Sequence, residues 1–233
     1  MRIGIIGTGN MGRAIGLTLA ETGCSVFFGS RTVKKAEETA ALSSGKVFFG
    51  SNQGAAEFGD VVYYNPRDVN PVDVLDDIAA LNNKIVISSH NGAVPSDFSF
   101  QPITDSRAEI LQRQIPNANV VTAFNTITQE IFELANKQLS DFNIACFIAS
   151  DHEMSKNTVA ELIARLGFDP VDCGKLQQSR LIESAADLVR MLLYRKNTPW
   201  ISFSLTSLSE VENSRLGGRQ VSRLHNKLTI ESE

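Results

Sequence analysis

The stretch RIGIIGTGNMGRAIG at residues 2–16 leaves few folding options. A short β-branched run leads into Gly7, Gly9 and Gly12, spaced G-x-G-x-x-G, and a helical pattern follows. That order is the strand–turn–helix opening of a dinucleotide-binding βαβ unit. Gly7 permits the tight turn, Gly9 lets a pyrophosphate approach the backbone, and Gly12 lets the helix lie close to the strand. The helix N-terminus, with Thr8, Asn10 and Met11 in the turn, presents unpaired N–H groups and partial positive charge to that anion. A glycine-rich turn without a ligand is the plain alternative, but it leaves the backbone entropy of three glycines unexplained.

The rest of the chain supports the same architecture. Apolar runs at 2–7, 25–30, 46–49, 61–65, 84–89 and 119–124, then at 142–149 and 169–173, are mostly apolar throughout rather than alternating. Strands buried on both faces read this way, and the helical segments between them imply parallel pairing with crossover helices. The expected fold is α/β, a Rossmann doubly wound parallel sheet with a smaller C-terminal α/β lobe. The boundaries fall at 1–126 for the dinucleotide-binding unit, 127–200 for the smaller lobe and 201–233 for a tail of unknown role. Ser150 and Glu153 are spaced as a capping box, Gly167 stands where a C-terminal αL residue belongs, and Val159, Leu162, Ile163 and Leu166 form one stripe between them. A helix over about 177–195 places Leu181, Ile182, Ala185, Leu188, Val189, Leu192 and Leu193 on one face. In the tail, Arg215, Arg219, Arg223 and Lys227 recur every fourth residue around Gly217-Gly218, a solvated stripe or a dimer contact.

The second stretch that matters is VFFGSRTVKKAEE at residues 26–38. Folds that take NAD place an acidic residue about 20 positions beyond the glycine turn to accept the ribose 2′-hydroxyl. Here the end of the second strand reads Gly29-Ser30-Arg31-Thr32, with no carboxylate before Glu37. A hydroxyl and a guanidinium suit a 2′-phosphate, which a carboxylate would repel. Thr8 can add a hydroxyl, and Lys34 and Lys35 a positive field, although solvated helix-face lysines are the plainer reading of that pair. The expected cofactor is NADP.

Composition excludes other classes. The 233 residues carry a net charge of −4, 42% hydrophobic and 21% charged residues, a balance for a globular core and against a nucleic-acid partner. No run approaches the roughly 20 apolar residues of a membrane span. Cys24, Cys146 and Cys173 are far apart and sit in or beside apolar runs, which reads as buried small hydrophobes in a reducing, cytoplasmic setting. The three histidines show no metal spacing, so no metal site is expected.

MRIGIIGTGNMGRAIG, GSRTVKKAEE, SRAEILQRQIPNANVVTAFNTI and LGFDPVDCGKLQQSRLIESAADLV together resemble the NADPH:coenzyme F420 oxidoreductase family, which is also related to the NADPH domain of membrane ferric reductases. The resemblance spans roughly residues 1–205. It implies NADP along the N-terminal unit, with Thr8, Ser30 and Arg31 around the 2′-phosphate. Asn125-Thr126-Ile127 would lie beside the nicotinamide. The smaller lobe would form a niche for a second substrate, F420 or a flavin such as FMN or FAD, and the chain would be a homodimer. The loops after strands four and five depart from the family pattern. They read Tyr64-Asn65-Pro66-Arg67 and Ser88-Ser89-His90-Asn91-Gly92, and both should line the crevice at the carboxyl ends of the strands.

Hydride transfer between two held rings asks the protein for positioning more than for acid–base chemistry. The candidate catalytic residues are His90, as donor to a reduced carbonyl or ring nitrogen, and Asn125 and Thr126, as partners of the carboxamide. An ordinary loop histidine and an ordinary turn remain the alternatives. Arg180 and Glu183 read as an i, i+3 pair on their own helix, and His152 and His225 as surface residues. Three functions stay open: hydride transfer to F420 or a flavin, reduction of a small imine or ketone, and non-enzymatic NADP sensing.

Overall fold

The computed structural model describes residues 1–134, 139 and 141–206. The tail stripe from Arg215 to Lys227 and His225 lie outside the described residues. The chain alternates strand and helix from the start: β1 (Arg2–Ile6), α1 (Asn10–Glu21), β2 (Ser25–Gly29), α2 (Val33–Ala40), β3 (Val47–Gly50), α3 (Asn52–Phe58) and β4 (Val61–Tyr64). After two short 3-10 turns come β5 (Ile85–Ser88), α4 (Arg107–Gln114), β6 (Asn119–Thr122), β7 (Ala145–Ile148), α5 (Glu153–Arg165), β8 (Asp169–Asp172) and α6 (Ser179–Lys196).

Six strands pair in the order β3-β2-β1-β4-β5-β6, every pair parallel. This is the Rossmann arrangement, and the strand order reverses between β1 and β4. The turn after β1 therefore opens onto the crevice where such sheets bind ligands. β7 and β8 form a separate parallel pair, tied to β6 by an antiparallel bridge from Thr122 to Ala149. One hydrophobic cluster runs from Ile3, Ile5 and Ile15 through Phe124, Ile127 and Phe132 to Leu162, Ile163 and Phe168, so the smaller lobe shares a core with the sheet.

The apolar runs land on strands as expected, with two departures in burial. β3 is the edge of the sheet and leaves Phe49 45% exposed, and β8, at the edge of its own pair, buries no residue fully. An edge strand lacks a neighbour on one side, so an apolar sequence there does not imply burial on both faces.

Two local expectations are corrected. Ser150 does not cap α5, whose N-cap is His152; the Ser150 hydroxyl donates to the Val120 carbonyl at 2.7 Å, so the strand neighbour claims it. A capping box is found instead at α4, where the Ser106 hydroxyl accepts from Glu109 N and the Glu109 carboxylate accepts from Ser106 N. Gly167 does take a left-handed φ of 85°, and Val159, Leu162, Ile163 and Leu166 are buried below it. On α6 the inward face is Ser179, Ile182, Glu183, Ala186, Asp187 and Val189, while Leu181 is 69% exposed and Leu188 also points out. The buried face is rotated from the expected one because Ser179 and Glu183 have polar partners on α4.

Candidate active site

The glycine turn is held from below. Gly7 has φ +91°, a left-handed conformation that suits glycine, and its N–H donates to the Gly29 carbonyl at 3.0 Å. A Cβ on Gly12 would sit 2.2 Å from the Gly7 carbonyl oxygen, so only glycine lets α1 start this close to β1. Asn65, from the loop after β4, donates its Nδ2 to that same carbonyl at 3.2 Å and so braces the turn from the neighbouring strand. No side chain caps the N-terminus of α1 at Gly9, and no acidic residue lies in its first turn. The helix end is left to an anion from outside.

That end opens into a cavity of about 340 Å³ lined by Gly7, Thr8, Gly9, Ser30, Arg31, Lys35, Asn52, Asn65, Pro66, Arg67, Val69 and Val74. Three cations and no carboxylate face it. The Ser30 hydroxyl accepts from Thr32 N at 3.2 Å, which fixes the loop that carries the exposed Arg31. Asn52, buried on α3, leaves its Oδ1 without a partner at the same cavity. A bare helix end, a glycine cradle that a Cβ would fill and an acid-free cationic rim fit a phosphorylated dinucleotide.

Asn65 and Arg67 also line a second, tighter cavity of about 110 Å³, together with Met11, Ser89, His90, Asn91, Phe124, Asn125, Ile127 and Arg190. The two cavities are thus neighbours along the crevice, the polar one at the phosphate end and the tight one at the carboxyl ends of β5 and β6. The amides at the tight end are largely spent on one another. Asn125 Nδ2 donates to the His90 carbonyl at 2.9 Å and to Asn91 Oδ1 at 3.2 Å, and its Oδ1 accepts from the Thr122 hydroxyl. Asn91 Nδ2 returns a bond to the Asn125 carbonyl. This clasp joins the loops after β5 and β6. Thr126 is buried and does not line the cavity.

His90 stands edge-on to Tyr64, with ring centroids 5.6 Å apart, and its Nε2 is buried without a partner. Burial pushes its pKa below the usual imidazole value, so the ring is neutral at pH 7 and acts as a hydrogen-bond partner rather than a ready acid. The buried Tyr63 hydroxyl meets Ser89 at the floor of the same crevice, and burial raises its pKa.

Every expected cofactor residue lies at one of these two cavities except Asn10 and Gly12. Asn10 is exposed on the opposite side of α1, and Gly12 is buried against the turn. Sequence patterns placed Arg67 in a crevice-lining loop without giving it a role, and they missed Arg190, which had no local signal. The reading of Arg180 and Glu183 as a mutual pair is corrected. Arg180 forms a two-pronged bond to Glu109 on α4 at 2.7 and 2.8 Å, and this holds the Glu109 carboxyl down to about 2. Glu183 is buried, accepts from Ala108 N at 3.3 Å, and burial pushes it up to about 7. Cys24 and Cys146 are buried as expected, whereas Cys173, just past the exposed edge strand β8, is only half-buried; burial pushes the Cys146 thiol up to about 12.

Residues 2–92, the segment carrying the turn, the cationic rim and the Asn65 brace, match the family described as NADP oxidoreductase coenzyme F420-dependent. That match covers the N-terminal part of the chain, and the relatives that resemble it over most of its length are F420-dependent NADP reductases at 27–28% identity. The F420-dependent NADP reductase of Methanocaldococcus jannaschii is 27% identical over 226 residues, covering 89% of this chain and 99% of the relative. Metalloreductase STEAP3 of Rattus norvegicus is 27% identical over 186 residues, and the match covers 36% of that larger protein. A crystal structure of a candidate F420-dependent NADP reductase from Arthrobacter sp. FB24 superposes with a TM-score of 0.76 at 23% identity, over 89% of this chain and all of that one. The matched family is described as one of NADP-dependent oxidoreductases. Among the described residues no helix is long and apolar enough to cross a membrane, and no cluster of His, Cys, Asp and Glu could hold a metal.

Proposed function

We propose that this chain moves hydride between NADP(H) and an acceptor of the F420 or flavin type. The observation that carries the reading is the phosphate-end cavity, where Arg31, Lys35 and Arg67 face the open α1 terminus and no carboxylate intrudes. Thr8, Ser30, Arg31 and Lys35 hold the 2′-phosphate, since Arg pairs with phosphate through a planar fork of donors. The glycine turn and α1 hold the pyrophosphate. Bound NADPH supplies the hydride. Met11, Phe124 and Ile127 wall the tight cavity and exclude water, while the Asn91–Asn125 clasp fixes the loops that position the reacting groups.

The test is NADPH oxidation at 340 nm with F420, FMN and FAD as separate acceptors. Turnover with at least one supports the reading; tight NADPH binding with no turnover on any ring or small carbonyl supports a sensing role instead. The size of the tight cavity, about 110 Å³ against the roughly 300–1,000 Å³ of usual ligand pockets, favours one second reading, a small ketone or imine as acceptor. We carry the homodimer as part of the proposal. The outward apolar residues of α6, Leu181 and Tyr194, both 69% exposed, support it, and light scattering on the full chain tests it.

A further inference from the structure

The tight cavity has one cation presented from the covering lobe. Arg190, on α6, reaches back to the sheet edge and donates Nη1 to the Gly92 carbonyl at 2.6 Å. Asp187, one turn earlier, takes Nη2. The guanidinium lies over the Phe100 ring, 5.6 Å from its centroid. Three unrelated contacts thus fix its plane before any ligand arrives. Its Nε is nonetheless buried without a partner, as is Nε2 of His90 on the same cavity. Of the neighbouring amides, Asn125 spends both of its N–H groups on His90 and Asn91, while Asn91 and Asn65 each commit one, to the Asn125 and Gly7 carbonyls. A guanidinium carries five N–H groups, so Arg190 retains donors beyond its two protein bonds.

We propose that Arg190 is the acceptor-recognising residue of this crevice, receiving the carbonyl oxygen of a conjugated ring that becomes anionic when it takes hydride. The inference rests on the hydride-transfer reading above and adds what the acceptor must be. In that step a C–H bond of the reduced nicotinamide breaks with both electrons, a bond to hydrogen forms on the acceptor ring, and NADP⁺ is left. The acceptor gains one negative charge, which conjugation spreads onto its ring oxygen until solvent supplies a proton. A fixed cation in a water-poor cavity stabilises charge at the point where it develops, with no reorganisation at the moment of transfer. A saturated ketone of similar size has no such delocalised anion for a planar fork to receive. Because the cavity is small, only the oxygen-bearing edge of the ring enters it, and the body of the ring lies outside.

The test uses the full chain saturated with NADP⁺, and equilibrium dialysis of oxidised F420, FMN and FAD. Arg190→Met should weaken the best-bound ring at least tenfold and leave NADP⁺ affinity within twofold, and Arg190→Lys should recover part of the loss. Asp187→Asn leaves the arginine in place without its neutralising carboxylate and should tighten ring binding, which keeps the idea testable if Arg190→Met folds poorly. Equal ring binding in wild type and Arg190→Met, loss of NADP⁺ together with the ring, weaker or unchanged binding in Asp187→Asn, or no ring bound by wild type would each overturn it. Arg190-dependent ring binding without NADPH oxidation would sink the hydride-transfer reading while leaving this assignment standing. Oxidation that is as fast in Arg190→Met as in wild type would do the reverse.

Discussion

The two ends of the crevice are built on opposite plans. The phosphate end is open and cationic, and most of its work is done by backbone: a left-handed Gly7, a bare α1 terminus, and side chains within one loop of β2. The acceptor end is tight and assembled from side chains that arrive from α1, the loops after β4, β5 and β6, and α6. Backbone geometry is dictated by local sequence, whereas a cavity of converging side chains depends on the whole fold.

If that contrast is right, the largest single effect belongs to the backbone end. Gly12→Ala puts a Cβ 2.2 Å from the Gly7 oxygen, so α1 must shift away from the turn. We expect NADPH affinity to fall by about two orders of magnitude, with a stability loss of about 1–3 kcal/mol typical of overpacking; fluorescence titration and thermal melting measure both. Retained affinity would show that the turn is more plastic than its geometry implies.

Next in size is a pH effect at the contact between α4 and α6. Glu183 is neutral-preferring in the folded protein because burial lifts it from 4.5 to about 7. A carboxyl whose pKa is raised on folding stabilises the protein fully below its unfolded pKa, and that contribution is lost as pH climbs through the folded value. Relative to Glu183→Gln, wild type should thus lose about 3 kcal/mol of stability as pH rises from about 4.5 to above 7, read from denaturant midpoints. A constant difference between the two across that range would mean that the α4–α6 contact does not rely on a neutral Glu183.

A smaller effect separates positioning from binding. Asn125→Ala unlatches the loops after β5 and β6 and strands the His90 carbonyl and Asn91, at about 1–3 kcal/mol of stability. Turnover with the best acceptor should drop about tenfold while NADPH affinity stays the same. If NADPH affinity falls equally, the two ends are not separate.

The same contrast explains what the sequence revealed. The apolar runs of the central strands were legible because parallel strands there are buried on both faces, and Gly7-x-Gly9-x-x-Gly12 was legible because its spacing encodes backbone contact. The Ser30-Arg31 rim followed because it lies at a fixed distance along the chain from the turn. Ser150 misled because a hydroxyl three residues before an acid can cap a helix or bond a neighbouring strand, and only the fold decides; here Val120 takes it. The α6 face misled because Glu183 and Ser179 are buried by partners on α4, which no periodicity shows. Arg190 could not be found at all, since its fixed partner Gly92 lies 98 residues away in the chain.

Everything turns on the phosphate end reading NADP through Arg31. The direct measurement is the dissociation constants of NADPH and NADH for wild type and Arg31→Ala at one ionic strength. The account predicts that the substitution weakens NADPH about 10- to 100-fold, the range of a charge-assisted hydrogen bond, and leaves NADH nearly unchanged. An equal loss for both dinucleotides, or none for either, would contradict it.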